Sequence, residues 1–297
     1  AGSAAKYSTI TYTAGTFTIN KKALTVTPTN QDIVYGAAAS ISIGVTGFAT
    51  FGGVAETTST AAGYVAPTCV VSTYSVTSNA GTTHTITCSG GSATNYTFTT
   101  TATATATVTK ATLTVTPEAK SVNYGDAAPT ITFNVNGWRN LQTAANAAGY
   151  VAPTCSSSYT TTSPALTPVA ITCTGGSATN YIFDTSATAS ITIAKLGTLT
   201  ITAGSPAAIN YGGSTPANSF TSAGKATNDV ISGVTYSYSG TSGTSYGPSA
   251  TAPVLPGDYL ITPSAATFST GASGNYTTIT YVAVSYTHLT LPTKRIV

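Results

Sequence analysis

Charge is what this 297-residue chain has least of: ten Lys and Arg and seven Asp and Glu. The cations stand singly, as at Lys6, Lys120 and Lys225, apart from Lys21 with Lys22 and the pair Lys294 with Arg295 near the C-terminus. No patch gathers the several phosphate contacts that nucleic acid binding requires. The acids are dispersed, with no paired carboxylates for glycoside chemistry and no calcium loop of the DxDxDG type. Histidine occurs twice, and no phosphate-cradling GxxxxGK loop is present. No apolar stretch approaches the roughly 20 residues needed to cross a bilayer as a helix, and no positively charged leader precedes an apolar segment. Methionine is absent altogether, which suggests that the natural start lies outside this sequence or was removed on export. From these absences we expect no enzyme, cofactor, metal centre, nucleic acid partner or membrane span.

What is abundant is Thr, Ser, Ala and Gly, with Val, Ile, Tyr and Thr recurring in short alternating runs suited to half-buried strands. A disordered chain would carry more charge and fewer aromatic and β-branched residues. Folding into β structure is therefore expected, with almost no helix.

Self-similarity organises the chain. LTVTP at Leu24–Pro28 returns at Leu113–Pro117 and, as LTITA, at Leu199–Ala203, a spacing of about 88 residues, the size of a small domain. Some ten residues later each copy has a Tyr-Gly pair: Tyr35 with Gly36, Tyr124 with Gly125, Tyr211 with Gly212. The first two copies also share GYVAPTC and TC(S/T)GGSATNY, while the third keeps only GNY at Gly274–Tyr276. The boundaries read 23–110, 111–195 and 196–283. Residues 1–22 match the end of a preceding repeat, because KYSTITY at Lys6–Tyr12 echoes the strand after GNY. Val284–Val297, VSYTHLTLPTKRIV, reads like a translated sequencing adapter and is set aside from the fold argument; subtracting its two cations takes the net charge from +3 to +1. Between copies the linker is almost nothing, as at Lys110 with Ala111, which favours an elongated array over tethered domains.

Short strands punctuated by Gly, Pro, Asn and Ser at intervals of roughly 8 to 12 residues give the expected fold: an all-β tandem array of small Ig-like β-sandwich repeats, with a β-grasp-like repeat as the alternative. The LTVT start, the Tyr-Gly pair, the late NY with alternating Thr and Ile, and the Lys-Ala junction together resemble the MBG repeats, mostly β, glycine-rich domains of the YGX type. The resemblance spans Leu24 to Ala283. It implies an exported bacterial surface protein of adhesin-like kind and a repetitive structural or adhesive role, and it carries over no catalytic residue.

The cysteines fall as Cys69 with Cys88 and Cys155 with Cys173, at equivalent places in copies one and two. A disulfide within each copy is the natural reading, since no CxxC spacing supports zinc. Each closed loop would contribute roughly 3 kcal/mol and implies an oxidising compartment, extracellular or at the cell surface. His84 is expected on the solvent face of its strand. Trp138 takes the place that Phe48 has in copy one, which argues for packing; Trp138 with Arg139 is also the candidate ligand contact for an extracellular glycan or protein. Tyr35, Tyr124, Tyr211, Tyr96, Tyr181 and Tyr276 are expected to bury their rings and bond their hydroxyls near turns. Asp32 and Glu118 lie near corresponding repeat edges and are the candidates for a weak cation site. The partners expected are the neighbouring repeats of the same chain, and the function a stalk that spaces other domains, with an adhesive module as the alternative.

Overall fold

The computed structural model describes residues 8–215 and 217–289. Among them there is no α-helix, which removes the basis of the β-grasp alternative; Ser273–Asn275 forms a single 3-10 turn. Residues 8–21 form no strand and are exposed.

Copy one consists of β1 (Lys22–Pro28), β2 (Gln31–Val34), β3 (Ile43–Thr46), β4 (Thr50–Phe51), β5 (Val54–Ala55), β6 (Thr68–Val71), β7 (Thr83–Ser89), β8 (Tyr96–Thr99) and β9 (Thr103–Thr109). A three-stranded sheet has the order β3-β1-β8 and a four-stranded sheet the order β2-β9-β7-β6, with β4-β5 a separate hairpin. The chain passes from one sheet to the other five times: from β1 to β2 at Thr29–Asn30, from β2 to β3, from β3 to β6, from β7 to β8 and from β8 to β9. Because β1 lies parallel to β8 and β2 parallel to β9, the first and last lengths of the copy run side by side in one direction. The chain thus comes in at one end of the copy and leaves at the other.

Alternation explains the faces. In β1 the pattern buries Leu24, Val26 and Pro28 and exposes the Thr residues between them, because successive side chains point to opposite faces. Leu24 packs with Tyr96, Ala61, Phe48 and Tyr64 under the three-stranded sheet, and Ile33, Ile86 and Ala106 pack with Ile41 and Tyr74 under the four-stranded one.

Copy two repeats the plan with β10 (Ala111–Pro117), β11 (Lys120–Asn123), β12 (Phe133–Asn136), β13 (Val151–Ser157), β14 (Val169–Ser177), β15 (Tyr181–Asp184) and β16 (Ala189–Ala194), in the orders β12-β10-β15 and β11-β16-β14-β13. Copy three has β17 (Leu196–Ala203), β18 (Ile209–Asn210), β19 (Phe220–Ala223), β20 (Val230–Thr241), β21 (Gly257–Thr270), β22 (Tyr276–Val282) and β23 (Val284–Leu289), in the orders β19-β17-β22 and β18-β23-β21-β20.

Both disulfides form as the sequence suggested. Cys69 sits directly opposite Cys88 on β6 and β7, with Cα atoms 4.0 Å apart, and Cys155 joins Cys173 between β13 and β14, also at 4.0 Å. Each bridge fastens the outermost strand of a four-stranded sheet. Copy three has no cysteine there and uses length instead: β20 and β21 run 12 and 14 residues and pair from Val230 to Thr241.

Val284–Leu289, set aside in the sequence argument, is a strand between β18 and β21. Its alternation turns Tyr286 and His288 inward against Tyr259. Burial holds the His288 imidazole below its usual titration range, and its Nε2 has no hydrogen-bond partner. The rest of the suspected adapter, from Thr290 on, lies outside the described residues.

The compact units are out of phase with the sequence repeats. One unit runs to Leu113 and adds Gly137–Val151 and Ser177–Ile182 of copy two; the other holds Thr114–Asn136, Ala152–Gly176 and everything from Phe183. Each unit therefore contains one junction between copies.

Candidate functional site

The junctions are built from the residues that mark the repeat. In the first unit the Tyr35 ring of copy one meets the Tyr181 ring of copy two edge to face, with centroids 5.5 Å apart. Both hydroxyls donate to Gln142 Oε1, at 3.2 and 2.8 Å. In the second unit the Tyr124 ring of copy two meets Tyr276 of copy three at 6.2 Å. Both hydroxyls donate to Asp229, one to each carboxylate oxygen, at 2.5 Å. All four rings are at most 3% exposed. Edge-to-face pairs of this kind add about 0.5–1.5 kcal/mol to their burial.

The acceptor is held in the same way each time. Backbone N–H groups of Arg139 and Ala226 donate to the Tyr181 and Tyr276 hydroxyls at 3.0 and 3.1 Å, and those of Gln142 and Asp229 donate back to the Arg139 and Ala226 carbonyls. In copy one the Ala49 N–H reaches the Tyr96 hydroxyl at 2.9 Å, the Glu56 N–H returns to the Ala49 carbonyl, and Tyr96 donates to Glu56 Oε2. Glu56, Gln142 and Asp229 are thus equivalent. Sequence reading missed this because the side chains differ and because the β4-β5 hairpin puts Glu56 seven residues after Ala49, against three in the other copies.

The Asn of the NY pair is a second clasp. Asn180 Oδ1 accepts from Ala80 N–H of copy one at 2.9 Å, and Asn275 Oδ1 from Ala165 N–H of copy two at 3.0 Å; both Asn are buried. The linker lysine is a third: Lys110 Nζ donates to the Ala178 carbonyl at 3.2 Å, and Lys21 to the equivalent Ala93 carbonyl at 3.3 Å. The Gly of the Tyr-Gly pair lies under the next copy. A Cβ on Gly36 would stand 2.6 Å from Arg139 Cβ, and one on Gly125 would stand 3.0 Å from Ala226 Cβ, with φ of +81° and +87° respectively.

The buried hydroxyls titrate abnormally. Loss of water around Tyr124, and then its bond to Asp229, pushes it up to about 12; Tyr276 moves upward for the same two reasons in the same order.

Other residues singled out in the sequence take ordinary places. Trp138 packs its ring on Tyr150 and Tyr181 at 5.6 and 5.3 Å, and Arg139 lays its stem over Gly36. His84 is half-buried and not solvent-facing: it shares the inner face of β7 with Ile86 and Cys88, lies edge to face with Tyr74, and its ring nitrogens bond Thr73 and Thr82. Tyr211 departs from its group, being 51% exposed. Glu118 is occupied by Lys120 at 3.2 Å and by Thr132 and Asn134, and these hydrogen bonds hold its carboxyl below the usual range. Asp32 is an exposed residue of β2. Among the described residues no three His, Cys, Asp or Glu converge on one point.

These features define a tandem all-β repeat protein whose copies are joined by buried tyrosine pairs. The model of the MBG domain family of the YGX type matches residues 113–190, most of copy two. No curated protein matches the chain. MBG domains occur in extracellular surface proteins, and the two disulfides fit that setting.

Proposed function

We propose that the chain is a stalk region of a secreted bacterial cell-surface protein of adhesin-like kind, spacing or projecting other domains. The carrying observation is the junction: the residues that recur from copy to copy, Tyr-Gly and Asn-Tyr, go to joining one copy to the next. A spacer needs length and rigidity and no reactive site. Parallel first and last strands suit it, because each copy passes the chain from one end to its other. The buried tyrosine pairs supply stiffness where a flexible tether would bend.

The adhesive reading rests on Trp138 and Arg139. It is disfavoured because the indole ring already packs on two tyrosines.

Small-angle X-ray scattering on the disulfide-bonded chain tests the stalk. A maximum dimension well beyond 100 Å, on the order of three domains of 35–40 Å end to end, is the expected result. A compact particle would reject the reading and direct attention to a ligand site between folded-back copies.

A further inference from the structure

A sheet edge leaves a row of backbone N–H and C=O groups without partners, and folded proteins blunt such edges with short strands, charge, proline or bulges. Nearly every edge in this chain is blunted. Among the described residues all edge strands but three have four residues or fewer. Of the three longer ones, β13 carries Pro153, which has no N–H to donate. β20 is interrupted by register shifts between Val230 and Thr235, and near its other end Tyr238 exchanges backbone hydrogen bonds with Ser249 of the following loop. The third, β22, has none of these devices. It runs seven residues as YTTITYV, without charge, Pro or Gly, and among the described residues it pairs with β17 alone. Ile279 and Tyr281 pack inward with Leu199 and Ile201, while Thr278, Thr280 and Val282 are exposed. The strands β8 and β15 hold the same edge in copies one and two, where another copy follows, so the free side of β22 comes from the topology of the repeat.

We propose that β22 pairs antiparallel with β22 of a second copy of this chain about a two-fold axis, joining two three-stranded sheets into one of order β19-β17-β22-β22-β17-β19. A strand edge is satisfied by another strand with free N–H and C=O groups of its own, and β22 itself is such a strand, of matching length. Its surroundings allow identical edges to meet. The exposed side chains of β22 and the β17 residues beside them, Thr198 and Thr200, are uncharged, so the two-fold contact sets Thr and Val against Thr and Val with no like charges opposed. Because both chains use the same surface, the contact closes at two. One strand from each chain makes a small interface and a weak dimer. It forms whether or not the chain serves as a stalk.

Sedimentation of the full, disulfide-bonded chain between about 10 µM and 1 mM tests this, with a shift from monomer to dimer and no larger species expected. Thr278→Lys and Thr280→Lys each set a cation against its own copy across the two-fold axis and leave the inward face of β22 untouched, so the monomer's circular dichroism should not change. Either raises the apparent dissociation constant about tenfold or more, the effect of like charges brought together. Thr280→Glu does the same alone, and mixing it with Thr280→Lys restores the dimer as a one-to-one pair of unlike chains. Thr154→Lys, an exposed position on the proline-bearing edge of β13, leaves association as in the wild type. A chain that stays monomeric to about 1 mM, growth past the dimer, association untouched by the β22 variants or weakened as much by Thr154→Lys, or a mixture that fails to pair overturns the proposal.

Discussion

At the scale of single residues, Asp229 carries more than any other side chain. It is 2% exposed, accepts two phenols from different copies and covers Gly271, where an added Cβ would stand 2.3 Å from its carboxylate carbon. Removing it strands two buried hydroxyls, each costing about 1–3 kcal/mol when left without an acceptor. Asp229→Ala should therefore lower stability by about 2–5 kcal/mol in urea unfolding. Asp229→Asn should cost less, since a single amide oxygen already serves both tyrosines at Gln142. The same junction is alkali-sensitive. Both tyrosines titrate higher in the fold than in the unfolded chain, so their contribution is complete below about pH 10, the unperturbed tyrosine value, and is lost as pH rises through the folded value, about 12 for Tyr124. Tyrosinate absorbance and circular dichroism followed together from pH 9 to 13 should show a late, cooperative group of tyrosines ionising as β structure is lost; smooth ionisation at ordinary values with structure intact would refute this.

At the scale of elements, much was legible beforehand. Alternation of Thr with Leu, Val and Ile marked β1, β10 and β17, and equivalent cysteine placement marked both bridges. What could not be read was the partner of the repeated tyrosines. Periodicity reports which face a residue takes on its own strand, and nothing local says that Tyr35 meets Tyr181 across a repeat boundary. His84 was misjudged for a related reason, since its parity with Ile86 and Cys88 outweighs its polarity. Val284–Leu289, set aside in the sequence argument, forms a strand because its alternation suits the place between β18 and β21. The glycines of the Tyr-Gly turns allow a graded test. All three have positive φ, which costs any side chain about 1 kcal/mol, but only Gly36 and Gly125 lie beneath the next copy. Gly212→Ala should cost about 1 kcal/mol in denaturant unfolding. Gly36→Ala, which must also push away the Arg139 stem, should cost at least twice that, with Gly125→Ala between them. Equal losses at all three would mean that the turn alone, and not the junction, requires glycine.

At the scale of the molecule, the units that hold together are not the units that recur. A sequence repeat is a unit of duplication, whereas a compact unit is set by where apolar surface is buried, and here one core cluster crosses a junction: Ala226 of copy three lies in the same cluster as Tyr124, Ile171 and Ile191 of copy two. In an array of this kind stability is a sum of intrinsic and nearest-neighbour terms, and a large neighbour term makes opening spread across the boundary. Hydrogen exchange on the Asp229→Ala chain separates the two frames. If the repeat were the cooperative unit, lost protection would be confined to copy three, in β17 and β22. With the junction as the unit, β11, β14 and β16 of copy two should lose protection alongside them, while β1, β7 and β9 of copy one, which belong to the other compact unit, keep theirs. Copy two would then open in halves, its β11-β16-β14-β13 sheet following copy three, which neither sequence period nor domain count would lead one to expect.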